Sequence, residues 1–462
     1  MKNLYEDVGF LDRRCYDLYD LSEDILMEHA AAALAAAVRR QNPGRVLIVA
    51  GPGNNGGDGV AAARQLLGEC EVELFMPYGA KSGMCRLQLG RFEAVGGRLA
   101  DGVGEADVIV DALFGSGLKR PLREDAVELV ERLNAMYGYK IACDIPTGLD
   151  PKGAPLPVAF RAHQTVTMGA LKLALYSDYA KDCVGEVEVA DLGVSRERYE
   201  IESEYKLLEC ADLRPPHRHR QNANKGSFGH LAVIAGEKEG AAVIAASAAL
   251  RYGAGLVTVV RNEPISVPYE LMHANTLPPK CTALAVGMGL GMEYSDAEFA
   301  ELVLGCDKPM VIDADLFYSP KILELLKRDN IVLTPHPKEF ASLLRLCGIG
   351  ELSVEDIQRD RFGAALLFSR RYPNAVLILK GANPIIAQGE TLYVNPLGTV
   401  ALAKGGSGDV LTGLVGALLA QGYDPLEAAI QASLAHAAAS RKVDVADYAL
   451  VPTDLIEAIR RL

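Results

Sequence analysis

The sequence predicts an α/β protein built from two domains in tandem, and three observations carry this prediction. A chain of 462 residues suffices for two or three domains. In both halves, short β-branched runs alternate with helix-like stretches, which is typical of mostly parallel sheets with helices on both faces. The alternation breaks at 209–226, which is basic, contains prolines and has few apolar residues. We therefore predict domains over 1–208 and 227–462, with a linker or domain-entry loop at 209–226.

The predicted elements follow in order along each half. In the first half the strands are 45–50, 72–76, 107–112, 140–144, 164–168 and 187–190, and the helices are 22–40, 60–67, 85–94 and 124–137. In the second half the strands are 230–235, 256–260, 283–286, 309–313, 330–334 and 375–380, and the helices include 240–251, 409–420 and 425–440. The alanine-rich helix 22–40 could pack against a second copy, so a homo-oligomer remains open.

Composition limits the classes of protein to which the chain can belong. Half of its residues are hydrophobic, yet no apolar run is long enough to span a bilayer, and residues 1–20 lack the apolar core of a signal peptide. Its nine cysteines are scattered and form no C-x-x-C pair, which favours reduced core residues over disulfides or zinc. The net charge of −13 argues against nucleic acid as a partner. We expect a cytoplasmic protein that acts on small molecules.

A glycine-rich segment follows the first strand of the first half. Its sequence is Gly51-Pro-Gly-Asn-Asn-Gly-Gly-Asp-Gly59, in which three glycines match the G-x-G-x-x-G dinucleotide fingerprint. Backbone N–H groups at the start of a helix suit anions. The polar Asn54, Asn55 and Asp58 fit an ordinary Rossmann dehydrogenase poorly, and no hydride-transfer machinery follows. A plain Rossmann reductase therefore stays a weaker alternative.

Two further strands of this half end in polar loops. One carries Asp111-Ala-Leu-Phe-Gly-Ser-Gly-Leu-Lys-Arg-Pro121, and the next carries Cys143-Asp-Ile-Pro-Thr-Gly-Leu-Asp150. Loops at the carboxyl ends of parallel strands converge on one crevice. Asn55, Asp111, Asp144 and Thr147 could thus share a pocket lined by oxygen atoms. Such ligands suit a hard cation, and the small number of full charges favours a monovalent one.

Together these motifs resemble the NAD(P)H-hydrate epimerase domain, over roughly residues 10–205. The resemblance includes Leu11-Asp-Arg-Arg14, Met27-Glu28 and Lys172, and it implies a Rossmann-like doubly wound sheet. It departs at His29, where the family usually has asparagine, which leaves the role of His29 open. The resemblance implies interconversion of R and S NAD(P)H hydrate, with Asp144 catalytic and K⁺ held by Asn55, Asp111 and Thr147. It also implies substrate contacts by Asn54, Asn55, Gly56, Gly57, Asp58, Gly115, Ser116, Gly117, Leu118, Lys119, Arg120 and Pro121.

The second half carries a different glycine-rich segment, Lys404-Gly-Gly-Ser-Gly-Asp-Val-Leu-Thr-Gly413. Its glycines can direct successive N–H groups at a phosphoryl group, and Asp409 is placed to accept a proton from an attacking hydroxyl. We expect the helix dipole to keep Asp409 ionised. No Walker motif occurs, which excludes a P-loop enzyme. Lys380-Gly-Ala-Asn-Pro384 offers one cation and a turn for a nucleotide.

These residues resemble the ribokinase-like superfamily and, within it, the ADP/ATP-dependent NAD(P)H-hydrate dehydratase. The similarity covers roughly 212–462 and includes Lys225-Gly-x-x-Gly-His230, Asp313-Ala-Asp and Thr334-Pro-His-Pro337. It implies that the hydroxyl of the hydrate is phosphorylated and phosphate eliminated, with ADP or ATP as donor accompanied by Mg²⁺. Asp409 would be catalytic, and the substrate contacts would be Gly255, Gly289 and His336. The nucleotide contacts would be Lys380, Gly381, Ala382, Asn383, Pro384, Gly405, Gly406, Ser407 and Gly408.

The joint presence of both sets predicts a bifunctional repair enzyme for hydrated NAD(P)H. The alternative is a ribokinase-superfamily small-molecule kinase with a non-catalytic N-terminal binding domain, which would release a phosphorylated product. The sequence does not distinguish ADP from ATP, or the hydrate of NADH from that of NADPH.

Overall fold

The computed structural model describes residues 1–118, 120–291 and 299–462. The chain divides into two compact units, one of Asn3–Tyr205 and one of Lys206–Leu462 together with Met1–Lys2. Strands β1 (Lys2–Leu4) and β8 (Tyr205–Leu207) lie where the chain passes between them. The predicted α/β class with two sheets is confirmed. The residue limits 1–208 and 227–462 stay a prediction. Lys119, a predicted contact residue, lies outside the described residues.

The first unit contains a six-stranded parallel sheet in the order β3-β2-β4-β5-β6-β7. Apolar strand residues are buried on both sides, as expected when helices cover a parallel sheet. Its strands are β2 (Arg45–Ala50), β3 (Glu71–Phe75), β4 (Val108–Ala112), β5 (Tyr139–Cys143), β6 (Gln164–Met168) and β7 (Glu186–Ala190). Its helices are α1 (Gly9–Tyr19), α2 (Glu23–Arg40), α3 (Asn54–Leu66), α4 (Gly83–Ala94), α5 (Glu124–Ala135) and α6 (Arg196–Tyr199), with 3₁₀ turns at Leu173–Tyr176 and Ala180–Asp182.

The second unit contains a larger sheet, in which β8 is followed by β17-β16-β15-β14-β13-β12-β9-β10-β11. The strands from β15 to β11 are parallel, whereas β15, β16 and β17 pair in antiparallel fashion. The sequence did not predict β11, β16 or β17. The strands are β9 (His230–Ile234), β10 (Leu256–Val260), β11 (Met272–Ala274), β12 (Ala283–Val286), β13 (Met310–Ile312), β14 (Ile331–Leu333), β15 (Val376–Leu379), β16 (Ile385–Gln388) and β17 (Thr391–Val394).

Helices cover this second sheet, and most residues of α12 (Ser407–Ala420) are buried. An added Cβ at Gly413 would lie 2.2 Å from the Ala245 carbonyl oxygen, so glycine allows α12 to pack closely on α7 (Glu239–Arg251). The helices are α7 (Glu239–Arg251), α8 (Ile322–Leu325), α9 (Pro337–Leu346), α10 (Val354–Arg359), α11 (Arg361–Arg371), α12 (Ser407–Ala420), α13 (Pro425–Ser440) and α14 (Pro452–Ile459). A π-helical turn lies at Ala300–Leu304, and 3₁₀ turns lie at Cys210–Asp212, Lys225–Phe228, Ala314–Tyr318, Val400–Leu402 and Asp447–Ala449.

Within the described ranges, no helix is both long and apolar enough to cross a bilayer.

Two candidate active sites

The first unit contains a cavity of about 740 Å³ at the carboxyl edge of its sheet. Its walls include residues from the ends of β4, β5 and β6 and from the start of α3. Among the predicted substrate contacts, nine line the cavity, together with Asp144: Asn54, Asn55, Asp58, Gly115, Ser116, Gly117, Leu118, Arg120 and Pro121. The structure therefore brings most of the first predicted site together.

Asp144 lies directly after β5 in a left-handed backbone conformation, with φ of +70°. Its Oδ1 lies 2.7 Å from the ammonium nitrogen of Lys172, whose side chain is 2% exposed. The Met168 amide also donates to this oxygen over 3.2 Å. A positive φ outside glycine is uncommon and marks a constrained position. The sheet edge and the buried ammonium together fix the Asp144 carboxylate in the wall of the cavity.

Three more carboxyl groups line the same cavity: Asp58 from α3, Asp12 from α1 and Asp7, which precedes α1. Burial, then the neighbouring carboxylate of Asp144, raises the pKa of Asp58 well above its usual range. Burial also raises the pKa of Asp12, although a hydrogen bond from Tyr199 opposes the shift. These shifts favour protonated forms beside the Asp144–Lys172 ion pair. The cavity can therefore hold a carboxylate and carboxylic acids together, which suits proton transfer.

Of the three predicted K⁺ ligands, Asn55 lines this cavity, whereas Asp111 and Thr147 are not among its lining residues. The Thr147 hydroxyl and amide each donate to the Asp111 carboxylate over 2.7 Å, and both residues are fully buried. Burial raises the pKa of Asp111 to about 6. Both polar side-chain atoms of Asn55 are buried without a hydrogen-bond partner. An added Cβ at Gly115 would lie 3.2 Å from the Asn55 amide oxygen and from Asp144 Oδ2, so Asn55 borders the same pocket.

The structure places the predicted contacts Gly56 and Gly57 inside a helix and outside the cavity lining. Both lie inside α3, which begins at Asn54, so the segment 54–59 is helix and not loop. An added Cβ at Gly56 would lie 1.9 Å from the Gly51 carbonyl oxygen, and one at Gly57 would lie 2.9 Å from Met27 Cε. These glycines permit close packing and are not among the residues lining the cavity.

The N-terminal segments contribute residues that the motifs did not assign. Asp12 belongs to the segment Leu11-Asp-Arg-Arg14, and the family resemblance assigns no role to Asp12 or to Lys172. His29 is exposed on α2 and packs against Gly193, outside the cavity lining. The position of His29 gives it no contact with this site.

The second site lies at the carboxyl edge of the larger sheet, on the first turn of α12. Lys380 Nζ lies 2.8 Å from Asp313 Oδ1 and 3.7 Å from Glu339 Oε2. The other Asp313 oxygen accepts a hydrogen bond from Thr412 over 2.7 Å. Asp409 interacts electrostatically with all three charged groups. One ammonium thus stands among three carboxyl groups.

The expectation that the helix dipole keeps Asp409 ionised is wrong. Burial, followed by the charge of Asp313, raises the pKa of Asp409 to about 7, and Lys380 opposes this shift only in part. Loss of hydration is therefore the largest influence on this pKa. A carboxylate with a pKa near neutral is suited to accept a proton from a hydroxyl.

His336 caps α9 rather than projecting freely. Its Nδ1 accepts hydrogen bonds from the Lys338 amide over 3.1 Å and the Glu339 amide over 3.3 Å. Its Nε2 lies 3.2 Å from Glu339 Oε1. Burial lowers the pKa of His336, and the nearby Lys380 lowers it further. The half-exposed ring is therefore held rigidly next to the acidic cluster.

The two predicted nucleotide segments meet beside Lys380. An added Cβ at Gly408 would lie 3.4 Å from Lys380 Nζ. The buried Arg361 donates to the carbonyl oxygens of Leu379, Lys380 and Asn383, which holds the 380–384 turn in place. Gly406 has φ of +87° and precedes the first residue of α12. The free end of Lys380 is directed at carboxylates, so its first partners are Asp313 and Glu339.

Gly289 and Gly255 lie at opposite edges of the sheet. Gly289 follows β12 at the carboxyl edge, with φ of +57°. Gly255 precedes β10 at the amino edge, where its amide donates to the Phe228 carbonyl over 2.9 Å. The length of α12 separates that edge from Asp409, since Ala420 at the end of α12 lies against Gly229. Gly255 therefore lies at the sheet edge opposite Asp409, and its contact with the hydrate stays a prediction.

The acidic partners of Lys380 were not predicted as site residues. Asp313 belongs to a motif that matches the family, but the sequence assigned it no role. Glu339 and Thr412 lie near matched residues, and no sequence motif marked them as site residues. Among the described residues, no group of three His, Cys, Asp or Glu side chains could hold a metal ion by itself.

Each half of the chain also matches a known protein family. Residues 231–461 match the NAD(P)H-hydrate dehydratase family, and residues 23–174 match the family described as YjeF-related protein N-terminus. The chain is 44% identical to the bifunctional NAD(P)H-hydrate repair enzyme Nnr of Helicobacter pylori, with 100% of both chains covered. It is 32% identical to the enzyme of the same name from Escherichia coli, covering 99% of this chain and 93% of that one.

Among solved structures, the ADP/ATP-dependent NAD(P)H-hydrate dehydratase of Bacillus subtilis co-crystallized with ATP/Mg²⁺ is 28% identical. It covers 55% of this chain and 94% of its own, with a TM-score of 0.45. The predicted arrangement of two α/β domains is confirmed by the two sheets and by the two family matches. By its full-length likeness to these relatives, the chain belongs to the family of bifunctional NAD(P)H-hydrate repair enzymes.

Proposed function

We propose that this chain repairs hydrated NAD(P)H by two reactions in two separate sites. The first unit interconverts the R and S hydrates, and the second dehydrates the S form with consumption of ADP or ATP and release of phosphate. The presence of both acid clusters, around Asp144 and around Asp409, in one chain with full-length bifunctional relatives carries this conclusion. Domains over 1–208 and 227–462 with a linker at 209–226 accord with it.

In the epimerase reaction, Asp144 is proposed to transfer a proton. Lys172 stabilises its carboxylate through the 2.7 Å ion pair, and the Met168 amide orients it. We propose that the hydrate contacts are Asn54, Asn55, Asp58, Gly115, Ser116, Gly117, Leu118, Lys119, Arg120 and Pro121.

K⁺ is proposed to lie between Asn55, Asp111 and Thr147. The unpartnered amide of Asn55 and the buried carboxyl group of Asp111 supply oxygen ligands and one negative charge. A monovalent cation fits this charge without leaving an excess. It would stabilise the polar floor of the cavity and fix the loops that contact the substrate.

In the second site, Asp409 is proposed to accept the proton of the hydrate hydroxyl as its oxygen attacks the terminal phosphoryl group. Phosphate then leaves with that oxygen, and loss of a ring proton restores the double bond. Gly405, Gly406, Ser407 and Gly408 would direct N–H groups at the phosphates, and the turn of Lys380, Gly381, Ala382, Asn383 and Pro384 would contact the nucleotide. Gly289 and His336 remain proposed hydrate contacts.

Mg²⁺ would supply charge neutralisation of the phosphates, and Asp313 and Glu339 offer the oxygen donors it prefers.

The proposed location is the cytoplasm, and all nine cysteines are free. The proposed ligands are NAD(P)H hydrate with ADP or ATP, with no nucleic acid or membrane partner.

A direct test supplies the pure S hydrate of NADH with ADP or ATP and measures NADH recovery and phosphate release together. We expect one phosphate for each NADH recovered. The R hydrate alone, without nucleotide, should be converted to the S form. A phosphorylated hydrate that accumulates without phosphate release would instead support the kinase alternative. Absence of R-to-S conversion would leave the first unit as a binding domain.

A further inference from the structure

The epimerase cavity has a second carboxyl group that is held by a hydrogen bond. Both this group and its donor lie outside the matched segment 23–174. Asp12 lines the cavity from α1. The hydroxyl of Tyr199, on α6, donates to Asp12 Oδ1 over 2.7 Å. Tyr199 is 2% exposed, so this donor is shielded from water. The pair forms between residues 187 positions apart in the sequence.

The surroundings of Tyr199 tie this pair to Asp144. The phenol oxygen of Tyr199 lies directly against Gly169, since an added Cβ at Gly169 would be only 2.3 Å from this oxygen. The preceding residue, Met168, lines the cavity and donates its amide to Asp144. Arg14 donates to the Tyr199 carbonyl over 3.0 Å, which fixes α6 against α1. Asp12 is therefore held at the sheet edge that carries Asp144.

Epimerisation of a hydrate needs more than one proton-transfer group. Water adds to an enamine with its oxygen on the carbon next to nitrogen, so the hydroxyl of the hydrate is on that carbon. Inversion requires that the C–O bond breaks as the hydroxyl takes a proton and leaves as water, while the nitrogen lone pair forms a C=N bond. A water then adds to the opposite face and gives up a proton. One group must donate and another must accept.

We propose that Asp12 is the second catalytic acid of the epimerase, oriented by Tyr199 as a positioning residue and paired with Asp144 in proton transfer. In one direction Asp12 donates the proton to the departing hydroxyl, and the Asp144 carboxylate takes the proton from the incoming water. In the other direction the two groups exchange these roles, and proton exchange with water restores the starting protonation states between turnovers in the same direction. The assignment rests on the proposed epimerase function of the first unit.

The charges around Asp12 agree with a group that carries a proton. Burial raises the pKa of Asp12, and Asp144 and Asp7 raise it further, against Lys172 and the Tyr199 hydrogen bond. Burial, followed by Asp12, also raises the pKa of Tyr199, so the phenol remains a donor. The titratable groups that interact with Asp12 are Asp7, Cys15, Tyr16, Asp58, Asp144, Lys172 and Tyr199.

The test measures R-to-S conversion by chromatography without nucleotide, so that the second site is silent. D12N keeps the acceptor oxygen for Tyr199 but cannot donate the proton, and we expect kcat to fall by about 100-fold or more. D17N, an exposed aspartate on the same helix, should match the wild type.

The pH profile of Y199F separates a positioning role of Tyr199 from a packing role, because lost packing alone would not shift the profile. Loss of the hydrogen bond removes support for the Asp12 carboxylate, so the pKa of Asp12 rises. The alkaline limb of the kcat/KM profile should then shift to higher pH. A D12N variant with wild-type kcat, or a limb that moves in D58N but not in Y199F, would overturn the role of Asp12. An inactive wild type would instead overturn the proposed epimerase function.

Discussion

At the scale of single residues, the ionisation of Asp409 should control the rate of dehydration. Its pKa of about 7 means that half of the molecules carry the base near neutral pH. Because a general base acts only when ionised, kcat/KM for dehydration should rise with pH through about 7 and then level off. The pH profile with saturating nucleotide checks this. A limb near the ordinary aspartate pKa of about 4 would contradict the assigned electrostatics.

Asn55 offers a residue-scale test of the cation site. Its unpartnered amide should bind K⁺ in the wild type, so that added K⁺ raises the melting temperature and accelerates epimerisation. Asn55→Ala should lose most of both effects. Thermal unfolding with K⁺ against a cation too large for the pocket, such as tetramethylammonium, separates binding from ionic strength. Equal K⁺ responses in both proteins would place the cation elsewhere.

At this scale the sequence predicted the loop residues and missed their partners. Asp144, Asn55 and the 115–121 loop follow strands whose ends must converge, so topology alone brings them together. Lys172 and Asp313 depend on side-chain pairs formed across the sheet edge. The Asp12–Tyr199 contact joins distant segments, and no spacing rule predicts it.

At the scale of elements, α3 depends on the absence of a side chain at Gly56. Alanine normally favours a helix over glycine, yet a Cβ there would lie 1.9 Å from the Gly51 carbonyl oxygen. Gly56→Ala should therefore reduce the free energy of unfolding by about 1–3 kcal/mol. Gly90→Ala, in α4 with no atom within 4 Å of its added Cβ, should instead stabilise by about 0.5–1 kcal/mol. Chemical denaturation checks both, and a stable Gly56→Ala would contradict the packing.

Element prediction succeeded where periodicity was strong. The bounds of β2, β6, β10, β12 and α13 match the predicted ranges. The start of α3 was placed at 60 and not at Asn54, because glycine and asparagine have low helix propensity, which tertiary packing overrides here. The β16–β17 hairpin was missed because its strands are only four residues each, around Gly389 with φ of +58°.

At the scale of the whole molecule, the two sites should act independently. D409A should abolish dehydration and leave R-to-S conversion intact, since Asp409 lies in the second unit. D144A should do the reverse with pure S hydrate as substrate. Each variant needs a wild-type melting curve as a control for folding. Loss of both activities in a folded single variant would contradict the division into two sites.

The most direct test supplies an equal mixture of R and S NADH hydrate with nucleotide and K⁺, and follows NADH recovery in wild type and D144A. We expect complete recovery by the wild type, stoichiometric with phosphate. Recovery by D144A should stop near half, apart from slow uncatalysed exchange. Complete and equally fast recovery by D144A would contradict the central claim that this chain joins an epimerase and a dehydratase.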